Sequence, residues 1–160
     1  MNQKKIMTQV KELFIYIDGA AKGNPGPAGA GIVIYEDSST DKDPLKKISE
    51  YLGEATNNAA EYLALIFALQ EAIDLQATHL FVYTDSELLA RQFSGTYKVK
   101  NENLKVLYGQ VRDLVDKFDR VKIEHIRREY NKPADKLATE AVKQRNKLNG
   151  NSGLHVRVLS

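Results

Sequence analysis

Apolar and polar residues alternate along "ELFIYID" (12–18), with β-branched or aromatic side chains at most positions, and this pattern predicts a strand. "GNPGPAGAG" (23–31) predicts a turn that passes through small residues into a second strand, "IVIYE" (32–36). "EDSSTDKDP" (36–44) is polar enough for a loop, and "LKKISEYLG" (45–53) predicts a third strand. Short connections make these three an antiparallel meander. The period then lengthens. Thr56 is placed to cap "NNAAEYLALIFALQEAIDL", whose composition is strongly helical. "THLFVYTD" (78–85) predicts a fourth strand, "SELLARQFSG" a short helix ending at Gly95, and "NENLKVLYGQVRDLVDKF" a longer helix. "DRVKIEHIRR" (119–128) predicts the fifth strand, and "NKPADKLATEAVKQRNKL" a last helix with Pro133 in its first turn. The tail "NGNSGLHVRVLS" starts like a loop and is expected to end in a short extended segment.

The order βββαβααβα predicts an α/β fold: a five-stranded mixed sheet, three strands antiparallel and then two parallel, with helices on both faces. At 160 residues the chain is expected to be one domain over 1–160, with a core of about 12–147. An apolar content of 42% can fill such a core, and no internal repeat suggests a solenoid. Cysteine is absent, which removes disulfides and thiolate metal sites. No apolar run approaches the 18 or so residues of a membrane span, and "MNQKKIMTQVKELF" is too polar for a signal peptide. A cytoplasmic protein with no membrane partner is the expectation.

Net charge is +2, unevenly spread. Residues 1–90 carry 7 basic and 13 acidic side chains, a net −6, and residues 91–132 carry 11 and 6, a net +5. A basic second half is compatible with a polyanion partner or with an ordinary solvated helical face.

Two strands carry an aspartate to their carboxyl ends, Asp18 in "FIYID" and Asp85 in "FVYTD". If strands one and four are parallel neighbours, these carboxylates lie side by side at the edge where α/β sheets bind ligands. Like charges so placed need a shared proton or a bound cation. The alternative is that each merely ends a strand and starts a turn. Glu61 lies on the apolar, sheet-facing stripe of the first long helix, with Ala64, Leu65 and Ala68 as same-face neighbours. Asp135 lies in the first turn of the last helix, where the dipole alone favours an acid. Four carboxylates with no Cys and no His pair favour Mg²⁺ or Mn²⁺ over Zn²⁺. Two such ions can hold the attacking water and the leaving oxygen of a phosphodiester. "GAAKGNPG" leads into a strand and lacks Gly-Lys-Ser/Thr, so it is neither a phosphate-binding loop nor a dinucleotide fingerprint.

"DGAAKGNPGPAGAG", "TNNAAEYLAL", "TDSELL" and "REYNKPADKLA" resemble, in order, the four motif blocks of type 1 ribonuclease H, over roughly residues 12 to 145. The resemblance implies the ribonuclease H fold and endonucleolytic cleavage of the RNA strand of RNA/DNA hybrids. It implies that Asp18, Glu61, Asp85 and Asp135 hold the metal ions. It also implies that Asn24, Asn57 and Asn58 contact the minor groove and RNA 2′-hydroxyls, and that Thr56 contacts a DNA phosphate. Contacts to 2′-hydroxyls are how a protein tells RNA from DNA. Double-stranded RNA is a second candidate substrate, and a monomer is the family default.

The chain departs from the family pattern in three places. Where many members have a mobile histidine before the last aspartate, this chain reads "IRREYNKP", with Arg128 near that position and Arg127 beside it. His125 is expected to belong to strand five. Arginine can neutralise a phosphate but cannot shuttle a proton near neutrality. This resembles the archaeal-like and some bacterial branches. The basic, Trp-rich handle of well-known members is replaced by "RQFSGTYKVKNENL", in which Lys98, Lys100 and Asn101 are the expected contacts with the DNA strand. No separate hybrid-binding module is expected before strand one. Two rivals are weaker. A proofreading exonuclease would have Asp-x-Glu on strand one, where Gly19 and Ala20 follow Asp18, and a non-catalytic hybrid-binding protein would not need all four carboxylates.

Overall fold

The computed structural model describes residues 9–147. The strands are β1 (Glu12–Ala21), β2 (Gly26–Tyr35), β3 (Lys46–Ala55), β4 (His79–Thr84) and β5 (Arg120–His125). The helices are α1 (Asn57–Asp74), α2 (Glu87–Ser94), α3 (Glu102–Val115) and α4 (Lys132–Lys147), with a 3₁₀ turn at Arg128–Tyr130. The sheet order is β3-β2-β1-β4-β5. β1 pairs antiparallel with β2 and parallel with β4, and β4 pairs parallel with β5. This is the predicted architecture, and among the described residues no helix is long and apolar enough to cross a membrane.

Each of the first three helices begins where a side chain meets a free N–H. Thr56 accepts from Ala59, Ser86 from Leu89 and Asn101 from Leu104, at 3.0–3.1 Å. α2 ends at Gly95 with φ +86°, a left-handed position that glycine adopts without strain.

Alternation along β1 sorts its side chains to two faces. Leu13, Ile15 and Ile17 are fully buried in the cluster that includes Ala60, Ala64, Leu65, Ala68 and Leu69 of α1, together with Leu89 of α2 and Leu104 and Val111 of α3. Phe14 and Tyr16 turn to the opposite face and pack with Val33, Tyr35 and Ala134 and Leu137 of α4. Three helices therefore cover one face and α4 covers the other.

Two strand boundaries differ from the sequence expectation. β1 continues three residues beyond Asp18, and β2 begins at Gly26 rather than Ile32. The small residues of "GPAGAG", expected as the entry to the strand, belong to the strand itself and form a packing surface. A Cβ on Gly31 would lie 2.0 Å from the Ala134 carbonyl oxygen, so α4 sits directly on the β2 backbone. On the other face, a Cβ on Gly19 would lie 2.1 Å from the Ala60 carbonyl oxygen. Both helices are thus drawn against the sheet beside Asp18, whose partner across the ladder is Gly31. The expected extended segment of the tail lies outside the described residues.

Candidate metal and nucleic-acid site

The parallel pairing of β1 with β4 stops at Ile17 and Thr84, and Asp18 and Asp85 are the next residues of each chain segment. The register therefore delivers two carboxylates to one point on the sheet edge. Asp18 does not end its strand, as the sequence suggested. It ends the β1–β4 ladder, because β1 runs on against β2 alone. Glu61 arrives from α1 through the close approach at Gly19, whose N–H donates to Glu61 Oε1 at 3.2 Å. One carboxylate oxygen from each of Asp18, Glu61 and Asp85 lies within 4.8 Å of the others. Asp135 reaches the same place from the first turn of α4, close enough to share a hydrogen bond with Asp18 when one of the two is protonated.

The electrostatics follow from this crowding. Burial, then the charges of Asp85 and Asp135, pushes the Asp18 carboxyl up to about 8, and the Arg128 charge opposes the rise. Glu61 is raised well above the usual carboxylate range by burial and then by Asp18 and Asp85, with the Gly19 N–H and Arg128 opposing. Asp18 is only 5% exposed. Three oxygen donors, crowded and mutually repelling, with no Cys or His among them, fit a hard divalent cation.

Asn131 is a member of this site that sequence reasoning missed. It is fully buried just ahead of α4. Its Nδ2 donates to the Ile17 carbonyl oxygen at 2.8 Å and to Asp85 Oδ2 at 3.4 Å. Both neighbours accept, which fixes the amide orientation. Its Oδ1 is buried without a partner among the described residues. In sequence an asparagine at a helix start reads as a cap, and nothing local signals that this one turns inward.

The expected substrate residues divide into two groups. Asn24, Thr56, Asn57 and Asn58 line one exposed rim. Asn24 Oδ1 accepts the Asn57 N–H at 3.0 Å, and Asn57 Oδ1 accepts the Ala21 N–H at 3.0 Å, so the β1–β2 hairpin is tied to the start of α1. These bonds use the carbonyl oxygens, and each exposed side chain also carries an NH₂ group able to donate. Lys98 and Lys100 are exposed on the segment between α2 and α3. Asn101 is beside them, but its Oδ1 caps α3. Arg128 acts on both Asp18 and Glu61 through its charge, whereas Arg127 pairs with Glu129 at 3.8 Å. His125 ends β5, as expected.

A family model described as "Reverse transcriptase-like" matches residues 16–141. The chain is 42% identical to the bifunctional protein Rv2228c of Mycobacterium tuberculosis over 82% of its own length and 35% of that protein's. It is 39% identical to ribonuclease HI of Halobacterium salinarum over 79% of its length and 62% of that protein's. It therefore spans about a third to two thirds of these curated relatives. The solved structure of LC11-RNase H1 in complex with RNA/DNA hybrid matches with a TM-score of 0.77 and 39% identity, over 84% of this chain and 99% of that one. The chain belongs to the type 1 ribonuclease H family. Divalent metal use is general to that family, and the carboxylate triad is able to bind a metal.

Proposed function

We propose that this protein is an endoribonuclease that hydrolyses the RNA strand of RNA/DNA hybrids. The observation that carries the reading is the meeting of Asp18, Glu61 and Asp85 at one sheet edge, with Asp135 beside Asp18. LC11-RNase H1, whose structure this chain resembles over almost all of that protein's length, was solved with such a hybrid, which supports the choice of substrate.

Asp18, Glu61, Asp85 and Asp135 would hold the metal, Mg²⁺ first and Mn²⁺ as a substitute. Divalent ions at these carboxylates supply the positive charge that offsets the developing charge on the attacking and leaving oxygens of the phosphodiester. The protein's own part is to hold the carboxylates in place before substrate arrives. The Gly19 N–H fixes Glu61, and Asn131 fixes Asp85 against β1. Arg128 adds a permanent positive charge toward the phosphate but does not move a proton. Asn24, Asn57 and Asn58 present amide donors to the minor groove and its 2′-hydroxyls, and Thr56 faces a DNA phosphate. Lys98, Lys100 and Asn101 provide a reduced footing for the DNA strand in place of a basic handle. The protein acts as a monomer, with double-stranded RNA as a poorer substrate.

The test is cleavage of labelled RNA/DNA hybrid, duplex RNA and duplex DNA, each with Mg²⁺ and with Mn²⁺. Cutting of the RNA strand of the hybrid, absent without metal, is the expected result. No cutting of hybrid with either ion would remove the reading.

A further inference from the structure

A groove of about 440 Å³ opens between the far end of β1 and α4, lined by Ala20, Ala21, Lys22, Thr139, Val142 and Lys143. The carboxylates are not among its lining residues, but Ala20 and Thr139 follow Asp18 and Asp135 by two and four residues on the same two elements. On the strand, Asp18 and Ala20 fall on the face that α4 covers, and Lys22 follows one residue beyond the end of β1. On the helix, Asp135, Thr139 and Lys143 follow one another at four-residue spacing and share a face. The two walls have matching lengths. The nearly extended stretch from Asp18 to Lys22, its last residue just past β1, advances at most about 13 Å, and eight helical residues from Asp135 to Lys143 advance about 12 Å. Both walls start on a metal-site carboxylate and end on a lysine.

The lysines have the properties of a binding pair. Both are exposed, and neither has an ion-pair partner among the described residues. Beside the lysines the lining is uncharged: Ala20, Ala21, Thr139 and Val142. The groove's inner wall is set by α4 lying on β2, where Gly29, opposite Ala20, admits the Ala138 carbonyl oxygen to 2.3 Å from where a Cβ would lie. A chain of phosphates with one member at the carboxylates fits this arrangement. The first phosphate is met by the metal site and later ones by free ammonium groups.

We infer that this groove carries the strand that is being cut, with Lys22 and Lys143 gripping phosphates of the RNA two to four linkages from the scissile one. The linkage count follows from a span of about 12 Å and roughly 3.4 Å of axial rise per phosphate of one strand. The inference rests on the ribonuclease reading and adds to it a second, phosphate-only contact on the RNA side, opposite in role to the 2′-hydroxyl readers of the rim.

The test uses the full chain, its Lys22→Ala/Lys143→Ala variant and the charge-reversed Lys22→Glu/Lys143→Glu variant. The substrate is a hybrid with a short ribonucleotide block, so that the cut position is fixed. Cleavage kinetics across a salt series should show KM raised about 3–10-fold in the alanine variant and further in the charge-reversed one. The log–log salt slope should fall by about 1–2, and the loss should lie in KM rather than kcat. A neutral methylphosphonate placed two to four linkages from the cut in the RNA-sense strand should raise KM for the parent and not for the alanine variant, the signature of a direct pair. Parent and variants that cut hybrid with coincident salt slopes would overturn the groove while leaving the ribonuclease reading in place. So would a methylphosphonate effect confined to the DNA strand. A parent that cuts no hybrid with either metal would remove both.

Discussion

The carboxylate edge and the segment joining α2 to α3 are built on opposite principles. At the edge, position is set by backbone packing. Gly19 and Gly31 admit α1 and α4 to within contact of the sheet, and four acidic side chains are carried there against their mutual repulsion. Between α2 and α3, Lys98 and Lys100 stand in solvent, Tyr97 lies under Arg91 at 5.5 Å, and Gln92 Nε2 ties down the Lys98 carbonyl oxygen at 3.1 Å. The first region stores electrostatic strain that packing must hold. The second stores none and offers only charge. Chemistry requires the former, because a metal site tolerates little displacement. Phosphate gripping is satisfied by the latter, because long-range attraction tolerates flexible side chains. Substitutions in the two regions should therefore differ in size and in kind.

The largest effect is expected from Asp18→Asn. Even partners that only orient metal ligands are worth about 10–100-fold, so loss of a ligand should lower hybrid cleavage by well over ~100-fold. Above about pH 8, where the Asp18 carboxyl is charged, the same change should raise the thermal midpoint of the metal-free protein, since it removes a charge from a repelling cluster. Near-normal cleavage at saturating Mg²⁺ would contradict the metal assignment.

Gly31→Ala tests packing without touching a carboxylate. The new Cβ meets backbone, not a flexible side-chain end, so α4 must move. Overpacking of this kind costs about 1–3 kcal/mol, and cleavage should fall by at least tenfold as Asp135 shifts from Asp18. A variant with unchanged melting and kinetics would show that the approach of α4 is not what positions the site.

The pH dependence of the metal-free protein follows from the raised carboxyls. Asp18 has an ordinary value of 3.8 and about 8 in the fold, so its contribution to stability is fully present below about 4 and is lost as pH rises through about 8. Glu61, shifted in the same direction, adds to the loss. The midpoint should fall by several degrees between pH 5 and pH 8, and Mg²⁺ should restore part of it at pH 8 by binding the folded state alone. Melting curves at both pH values, with and without metal, measure this; Asp18→Asn should flatten the dependence.

Arg128→Ala should slow turnover by about tenfold, less than the ~10²–10³ of a buried transition-state donor, because this guanidinium is exposed. Arg128→Lys should recover part of the rate and Arg128→His should introduce a pH dependence near neutrality. Equal single-turnover rates for Arg128→Ala and the parent would make the residue a bystander.

The smallest effect belongs to the second region. Replacing Lys98 and Lys100 together by alanine should raise KM a few-fold and lower the salt slope by about 1–2, with kcat little changed. Coincident slopes would mean that another surface grips the DNA strand.

Much of the molecule was legible from local pattern. The order of strands and helices, the cap at Thr56 and the break at Gly95 follow from periodicity and from side chains that act within a few residues of themselves. Asp18, Asp85 and Glu61 could be singled out because carboxylates are costly on apolar stripes and conspicuous at strand ends, whereas Asp135, an ordinary helix-start acid by itself, entered only through the motif resemblance. What only the tertiary structure decided was which backbones touch. The run "GPAGAG" looks like a mere entry to the strand until α4 is laid on it, and Asp18 looks like a strand end until β1 is seen to outlast its pairing with β4. Asn131 looks like a helix cap until its amide is found on Ile17 and Asp85, 114 and 46 residues away in sequence. Close approach between distant segments depends on what is missing from a side chain as much as on what is present, and a sequence read in short windows carries no record of the partner that fills the gap.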